Sequence, residues 1–182
     1  MAIREKIYIP DEIYFITFSV LDWRKIFVKE QYINLIYKWF DYIKSNYQNK
    51  IHGYVIMPNH IHCLIYLTKK SLILSKLIQN AKRFLAYQIV NLLEEENKFE
   101  LLNFFKENAE IKKRAKHKVF ADRYDSKIIQ TNELFLEKLN YIHNNPCADK
   151  WKLAKNPEDY KHSSAANYIN GQGIYQVDLV DF

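Results

Sequence analysis

Apolar and polar positions along this chain switch between two periods. Residues 14–20 (YFITFSV) mix aromatic and β-branched side chains with small polar ones, the pattern of a strand, which Asp22, Trp23, Arg24 and Lys25 then close. From residue 30 to 47, Ile33, Ile36, Tyr37, Phe40 and Ile43 recur at three and four, so an amphipathic helix is expected there. Strand character returns at 52–56, Met57, Pro58 and Asn59 turn the chain, and 60–67 forms the second arm of a hairpin. A second helix is expected over 71–95, opened by Ser71, with Leu72, Leu74, Leu77, Ile78, Phe84, Leu85, Ile89 and Leu92 on its apolar side. Residues 97–118 are helix-prone but dense in charge, and read as an excursion from the compact fold that ends in the basic run 112–118. Residues 119–129 supply the last strand. Thr131 or Asn132 caps a third helix, and Pro146 ends it, because the residue before a proline is pushed out of the α region.

The order β-α-β-β-α-β followed by a helix predicts an α+β protein of the ferredoxin-like, split β-α-β kind. An antiparallel sheet should carry two helices on one face and leave the other face free for function. With 182 residues, 48% of them hydrophobic, the chain can bury one sizeable core, so residues 1–182 are expected to form a single domain, with 151–182 as a C-terminal wrap containing a short helix near 164–170.

Charge and cysteine content narrow the classes. A formal charge of +6 suits a polyanionic partner, nucleic acid foremost. Cys63 and Cys147, the only thiols, provide neither a disulfide framework nor a four-thiol zinc site, which fits a reducing cytoplasm. The N-terminus has acidic residues and an early Pro10 where a secretory signal needs an uninterrupted apolar stretch. Residues 51–68 lack formal charge, but Pro58, Asn59 and three histidines interrupt them, so no membrane span is expected.

The candidate chemistry begins with His60 and His62. Side chains at i and i+2 of a strand share a face, so the two imidazoles converge while Ile61, Cys63 and Ile65 turn toward the helices. Two neutral imidazoles make half of a metal site. They are equally an ordinary strand with two hydrogen-bonded histidines. In the third helix Phe135, Leu136, Leu139 and Ile142 form the apolar stripe, and Tyr141 and Asn145 lie together away from it, one turn apart. Read alone, they could be a surface tyrosine and a helix-ending asparagine. Lys82 and Arg83 on the second helix, Arg123 on the last strand and the 112–118 run are candidates for DNA contact, or simply solvated charges.

Five stretches together point further: YFITFSVLDWRKIF (14–27), GYVIMPNHIHCLI (53–65), FADRYDSKII (120–129), YIHNNP (141–146) and NPEDYKHSSAANY (156–168). They resemble the HUH endonuclease superfamily, specifically single-tyrosine transposases of the insertion-sequence type and, more closely, their REP-associated relatives. Classical insertion-sequence members usually carry Gln four residues after the tyrosine, where this chain has Asn145. The REP-associated branch commonly reads NPVRAG where this chain has Asn145-Pro146-Cys147-Ala148-Asp149-Lys150, and an aromatic plus Gln at Phe120-Ala121-Asp122. The resemblance implies that His60, His62 and Asn145 hold Mg²⁺ or Mn²⁺, and that Tyr141 is the nucleophile. It implies cleavage and rejoining of single-stranded DNA bearing imperfect palindromes or hairpins through a 5′-phosphotyrosine. It leaves open a monomer or a homodimer that exchanges its tyrosine helix. A catalytically idle nucleic-acid-binding module on the same fold is the alternative.

Overall fold

In the computed structural model, which describes residues 8–109 and 116–180, a four-stranded antiparallel sheet forms the centre. β1 (Glu12–Ser19) pairs along its length with β3 (His60–Leu67); β2 (Lys50–Met57) flanks β3 and β4 (Asp125–Ile129) flanks β1, giving the order β2-β3-β1-β4. α1 (Glu30–Tyr47) joins β1 to β2, and α2 (Leu74–Glu95) follows β3. This is the expected α+β, split β-α-β arrangement.

Strand alternation divides the core in two. Tyr14, Ile16 and Phe18 of β1 and Ile61, Cys63 and Ile65 of β3 turn to one face, where they pack against Ile36, Phe40 and Ile43 of α1 and Leu77, Leu85 and Ile89 of α2. Each large apolar side chain removed from water there contributes on the order of 1.5–3 kcal/mol, which is what fixes the helices on this face.

The opposite face is not free, contrary to expectation. α4 (Asn132–Asn144) lies across it, and Phe135, Leu139 and Ile142 pack on Val55, Met57, Leu64 and Ile129 in a second, smaller core. Leu136, expected in the apolar stripe, is exposed. Of the expected stripe, only Phe135, Leu139 and Ile142 enter the second core. Gly53, where the β2–β3 register shifts, permits the approach: a Cβ there would sit 2.8 Å from Leu139 Cδ1. Thr131 caps the helix as predicted, its Oγ1 accepting the Leu134 N–H at 3.2 Å.

Three further expectations are corrected. Ser71 does not open the second helix; its N–H donates to the Thr68 carbonyl in a turn, and helix begins at Leu74. The 97–118 segment is not wholly an excursion. α3 (Phe99–Glu107) docks on α2 with Phe105 fully buried, and the Lys118 N–H donates to the Phe105 carbonyl at 2.8 Å; the part of the basic run at 112–115 lies outside the described residues. The last strand is shorter than 119–129. Before Asp125 there is a single bridge, Phe120 to Val20.

The C-terminal wrap has a defined task. Ser164 N–H donates to Tyr54 O, Ile56 N–H to His162 O, and Asp178 N–H to Ile51 O, so the tail covers the outer edge of β2 and satisfies backbone groups that would otherwise invite another chain. α5 (Ala165–Asn170) lies within it and stops at Gly171, whose φ of 75° gives a left-handed cap. No helix among the described residues is long and apolar enough to cross a membrane.

Candidate active site

β3 places His60 and His62 on the α4 side of the sheet, with the centroids of their rings 4.7 Å apart. Register does the rest: Thr17 of β1 lies opposite His62, and Ser19 opposite His60. His62 Nδ1 is 2.6 Å from Thr17 Oγ1, and its Nε2 is 3.3 Å from the Asn145 amide Nδ2. Since that amide nitrogen donates, Nε2 carries the lone pair and Nδ1–H donates to Thr17.

Asn59 fixes the other ring by a similar logic. Its Nδ2 donates to the Trp23 carbonyl at 2.9 Å, which leaves Oδ1 to accept from His60 Nδ1–H at 2.7 Å. His60 Nε2 therefore also presents a lone pair. The turn that supplies Asn59 is itself anchored, with Pro58 O accepting from Ile26 and Phe27 N–H and Asn59 O from Val20 N–H. Such hydrogen bonds behind a histidine set its tautomer and aim its free nitrogen.

Tyr141 projects from α4 toward the same place. Its ring centroid is 5.1 Å from that of His62 and 6.0 Å from that of Phe15, while Phe15 stacks on His62 at 5.6 Å. The phenol stays half-exposed, whereas Asn145, one turn on, is buried with Oδ1 lacking a hydrogen-bond partner among the described residues. An open cavity of about 630 Å³ is lined by Phe15, Asn59, His60, His62 and Tyr141, with Thr17, Trp23, Asp125, Lys138, Lys150 and Trp151 also on its walls.

The donor set fits a divalent metal. The two imidazoles, each with Nε2 left as an acceptor, lie with ring centroids 4.7 Å apart, and a buried amide with an orphaned oxygen sits beside His62 Nε2; rotation of that amide exchanges nitrogen for oxygen at the same position. Among the described residues no three His, Cys, Asp or Glu side chains are grouped to hold a metal, so a metal here depends on the Asn145 amide as well as the imidazole pair.

Burial keeps the imidazoles neutral. It pushes His60 down to about 4 and His62 to about 3, with Lys150 opposing protonation of both and each His62 proton also repelled by His60. His143, on the buried side of α4 with Nε2 2.9 Å from Ser164 Oγ, is likewise held at about 4 by burial. In the unfolded chain these rings titrate near ~6.5, so between about pH 6.5 and 4 the unfolded state binds more protons and stability falls as pH falls. The metal-free protein is expected to lose about 2 kcal/mol per buried histidine between pH 7 and 5. Thermal melts across that range check this, and His143→Gln should flatten the slope; a melting temperature independent of pH from 7 to 5 would contradict it.

The four residues singled out for chemistry thus meet within one chain. The three basic candidates do not join them. Lys82 donates to the carbonyls of Ala121, Asp122 and Arg123 at 2.8, 3.3 and 2.9 Å, and burial lowers its ammonium to about 8; it ties α2 to the segment leading into β4. Arg83 lines a separate groove between α1 and α2, on the far side of the sheet. Arg123 is exposed in the loop before β4, not in a strand as expected. Sequence reasoning passed over Thr17, Asn59, Trp23, Asp125, Lys138, Lys150 and Trp151. Only Asn59, adjacent to His60 in the MPNH turn, carried a local signal.

Comparisons with known proteins bear on the family and the fold. The family model for the IS200-like transposases matches residues 11–145. None of the curated proteins matches. Among solved structures, a REP-associated tyrosine transposase bound to a REP hairpin superposes with a TM-score of 0.65 at 18% identity, covering 100% of this chain and 95% of its own, and shares the fold. A candidate transposase from Deinococcus radiodurans R1 covers 79% of this chain and 97% of its own at 13% identity and a TM-score of 0.48, too loose a likeness to argue from. With three quarters of its length matched by the family model, the chain belongs to the IS200-like transposases, the single-tyrosine HUH type.

Proposed function

We propose that this transposase cleaves and rejoins single-stranded, hairpin-bearing DNA by direct transesterification at Tyr141. The observation that carries the reading is the placement of Tyr141 beside His62, with Asn145 touching His62 from the same helix. Tyr141 Oη attacks the phosphorus, the P–O3′ bond breaks, a 5′-phosphotyrosine forms, and the phenolic proton ends on the released 3′-hydroxyl. One phosphodiester replaces another, so the step needs no nucleotide triphosphate and reverses when a 3′-hydroxyl attacks the phosphotyrosine.

A phenol is protonated at neutral pH and attacks poorly unaided. His60, His62 and Asn145 would hold Mg²⁺ or Mn²⁺, which supplies Lewis-acid polarisation of the scissile phosphate. The chain's own residues do the positioning. Thr17 and Asn59 fix the imidazole tautomers, and Phe15, stacked on His62 and meeting Tyr141 edge-on, holds the phenol over the pair. Lys138 and Lys150 on the cavity wall offer cations to the sugar–phosphate backbone.

The REP hairpin bound by the structurally similar transposase supports a hairpin substrate here. The test is incubation with a library of hairpin-bearing single-stranded DNA and Mn²⁺, followed by denaturing electrophoresis. A protein band shifted by covalently attached DNA is expected, and chelation of the metal should remove it. Hairpin binding with no adduct would instead favour the catalytically idle module.

A further inference from the structure

Trp23 is held in an unusual way for a surface residue. It is 61% exposed, and with Asp22 it forms two consecutive non-glycine residues of positive φ, 49° and 56°. L-residues with large side chains avoid that region, so the turn is maintained against local preference. Neighbouring groups maintain it: Trp23 N–H donates to Val20 O, and Asn59 Nδ2 grips the Trp23 carbonyl with the same side chain whose oxygen orients His60. The result is a bare indole at the cavity wall, edge-on to His60 with ring centroids 5.7 Å apart. Trp151 stands against His60 from another direction, also at 5.7 Å, with the Lys150 ammonium 5.8 Å from its ring. A strained, exposed aromatic beside a candidate metal ligand, with a second indole and a cation at the same ligand, is the composition of a base-stacking subsite.

We infer that Trp23 is the stacking platform for one nucleobase of the strand next to the scissile phosphate, with Trp151 bounding the subsite and Lys150 taking the adjoining phosphate. The inference rests on the proposed function for its ligand class. The Asn59 bridge gives the subsite a consequence for register: a base seated on Trp23 is fixed relative to His60, so stacking sets which phosphate faces Tyr141. Trp23 is thus a positioning residue, acting on the reaction through the strand it holds.

The test separates binding from chemistry. In chelator, so that no strand is cut, the full chain is titrated with an octamer of thymidylate and with an abasic octamer of the same backbone. Trp23→Ala is expected to weaken thymidylate binding by ~5- to 100-fold and leave the abasic octamer unchanged, and Trp23→Phe to restore most of the loss. Trp23→Gly relieves the positive φ, so it should lose the same affinity while melting no lower than the parent. In adduct formation with Mn²⁺, Trp23→Ala should lower kcat as well as raise KM and spread cleavage over neighbouring phosphates, with Trp23→Phe restoring the single site. Equal affinity of parent and Trp23→Ala for thymidylate, an equal loss for the abasic strand, or a lowered melting point for Trp23→Gly would each overturn the subsite. Absence of any adduct with the stacking difference intact would remove the chemistry and leave the subsite standing.

Discussion

Tyr141→Phe is expected to eliminate the covalent protein–DNA adduct and to reduce strand cleavage at least ~10³-fold, because the proposed step draws its attacking oxygen from the Tyr141 phenol. Hairpin affinity should be unchanged. Stability should shift by no more than about 0.5 kcal/mol, since the phenol is half-exposed and the ring that meets Phe15 and His62 is retained. Cleavage that persists in this variant would move the nucleophile elsewhere.

The second large effect is that of His62→Ala. The substitution deletes one lone pair of the donor set and leaves Thr17 Oγ1 and the Asn145 amide without their shared partner, so cleavage should fall below detection. A buried polar network is cut as well, at a cost of about 1–3 kcal/mol in stability, and a loss of activity alone would be ambiguous. The separating measurement is the melting temperature with and without Mn²⁺. A metal that binds only the folded protein raises it by mass action, so the parent should be stabilised by Mn²⁺ and the variant should not, while both still bind the hairpin. A Mn²⁺-dependent rise of the same size in His62→Ala would remove His62 from the metal site.

The sequence carried those parts of the structure that local chemistry dictates. The helix over residues 30–47 was legible from its apolar period, and the third helix from the Thr131 cap and Pro146. The His60–His62 convergence was legible because strand geometry leaves no choice of face. What could not be read there depends on contacts between distant segments. Residues 97–118 looked too charged to belong to the fold, yet Leu102 and Phe105 are enough to dock α3, because burial is decided by one face of a helix and not by its average composition. The second core on the α4 side required knowing that β2 has Gly53 where Leu139 arrives.

The candidate site divides the same way. His60, His62, Tyr141 and Asn145 could be named because motif and helix turn place them, while Thr17 enters only through the register of β1 on β3. Lys82 shows the converse error. A basic residue on an amphipathic helix reads as a free cation, and here three backbone carbonyls occupy it.

The central claim is that Tyr141, aimed by α4 at the imidazole pair, becomes bonded to the DNA. It is tested most directly by trapping wild-type protein on hairpin-bearing single-stranded DNA with Mn²⁺, trimming the DNA with nuclease and mapping the modified peptide by mass spectrometry. A nucleotide joined through its 5′-phosphate to the peptide containing Tyr141 is the predicted result. A 5′-nucleotide on any other residue, or cleaved DNA with no modified peptide, would contradict the account.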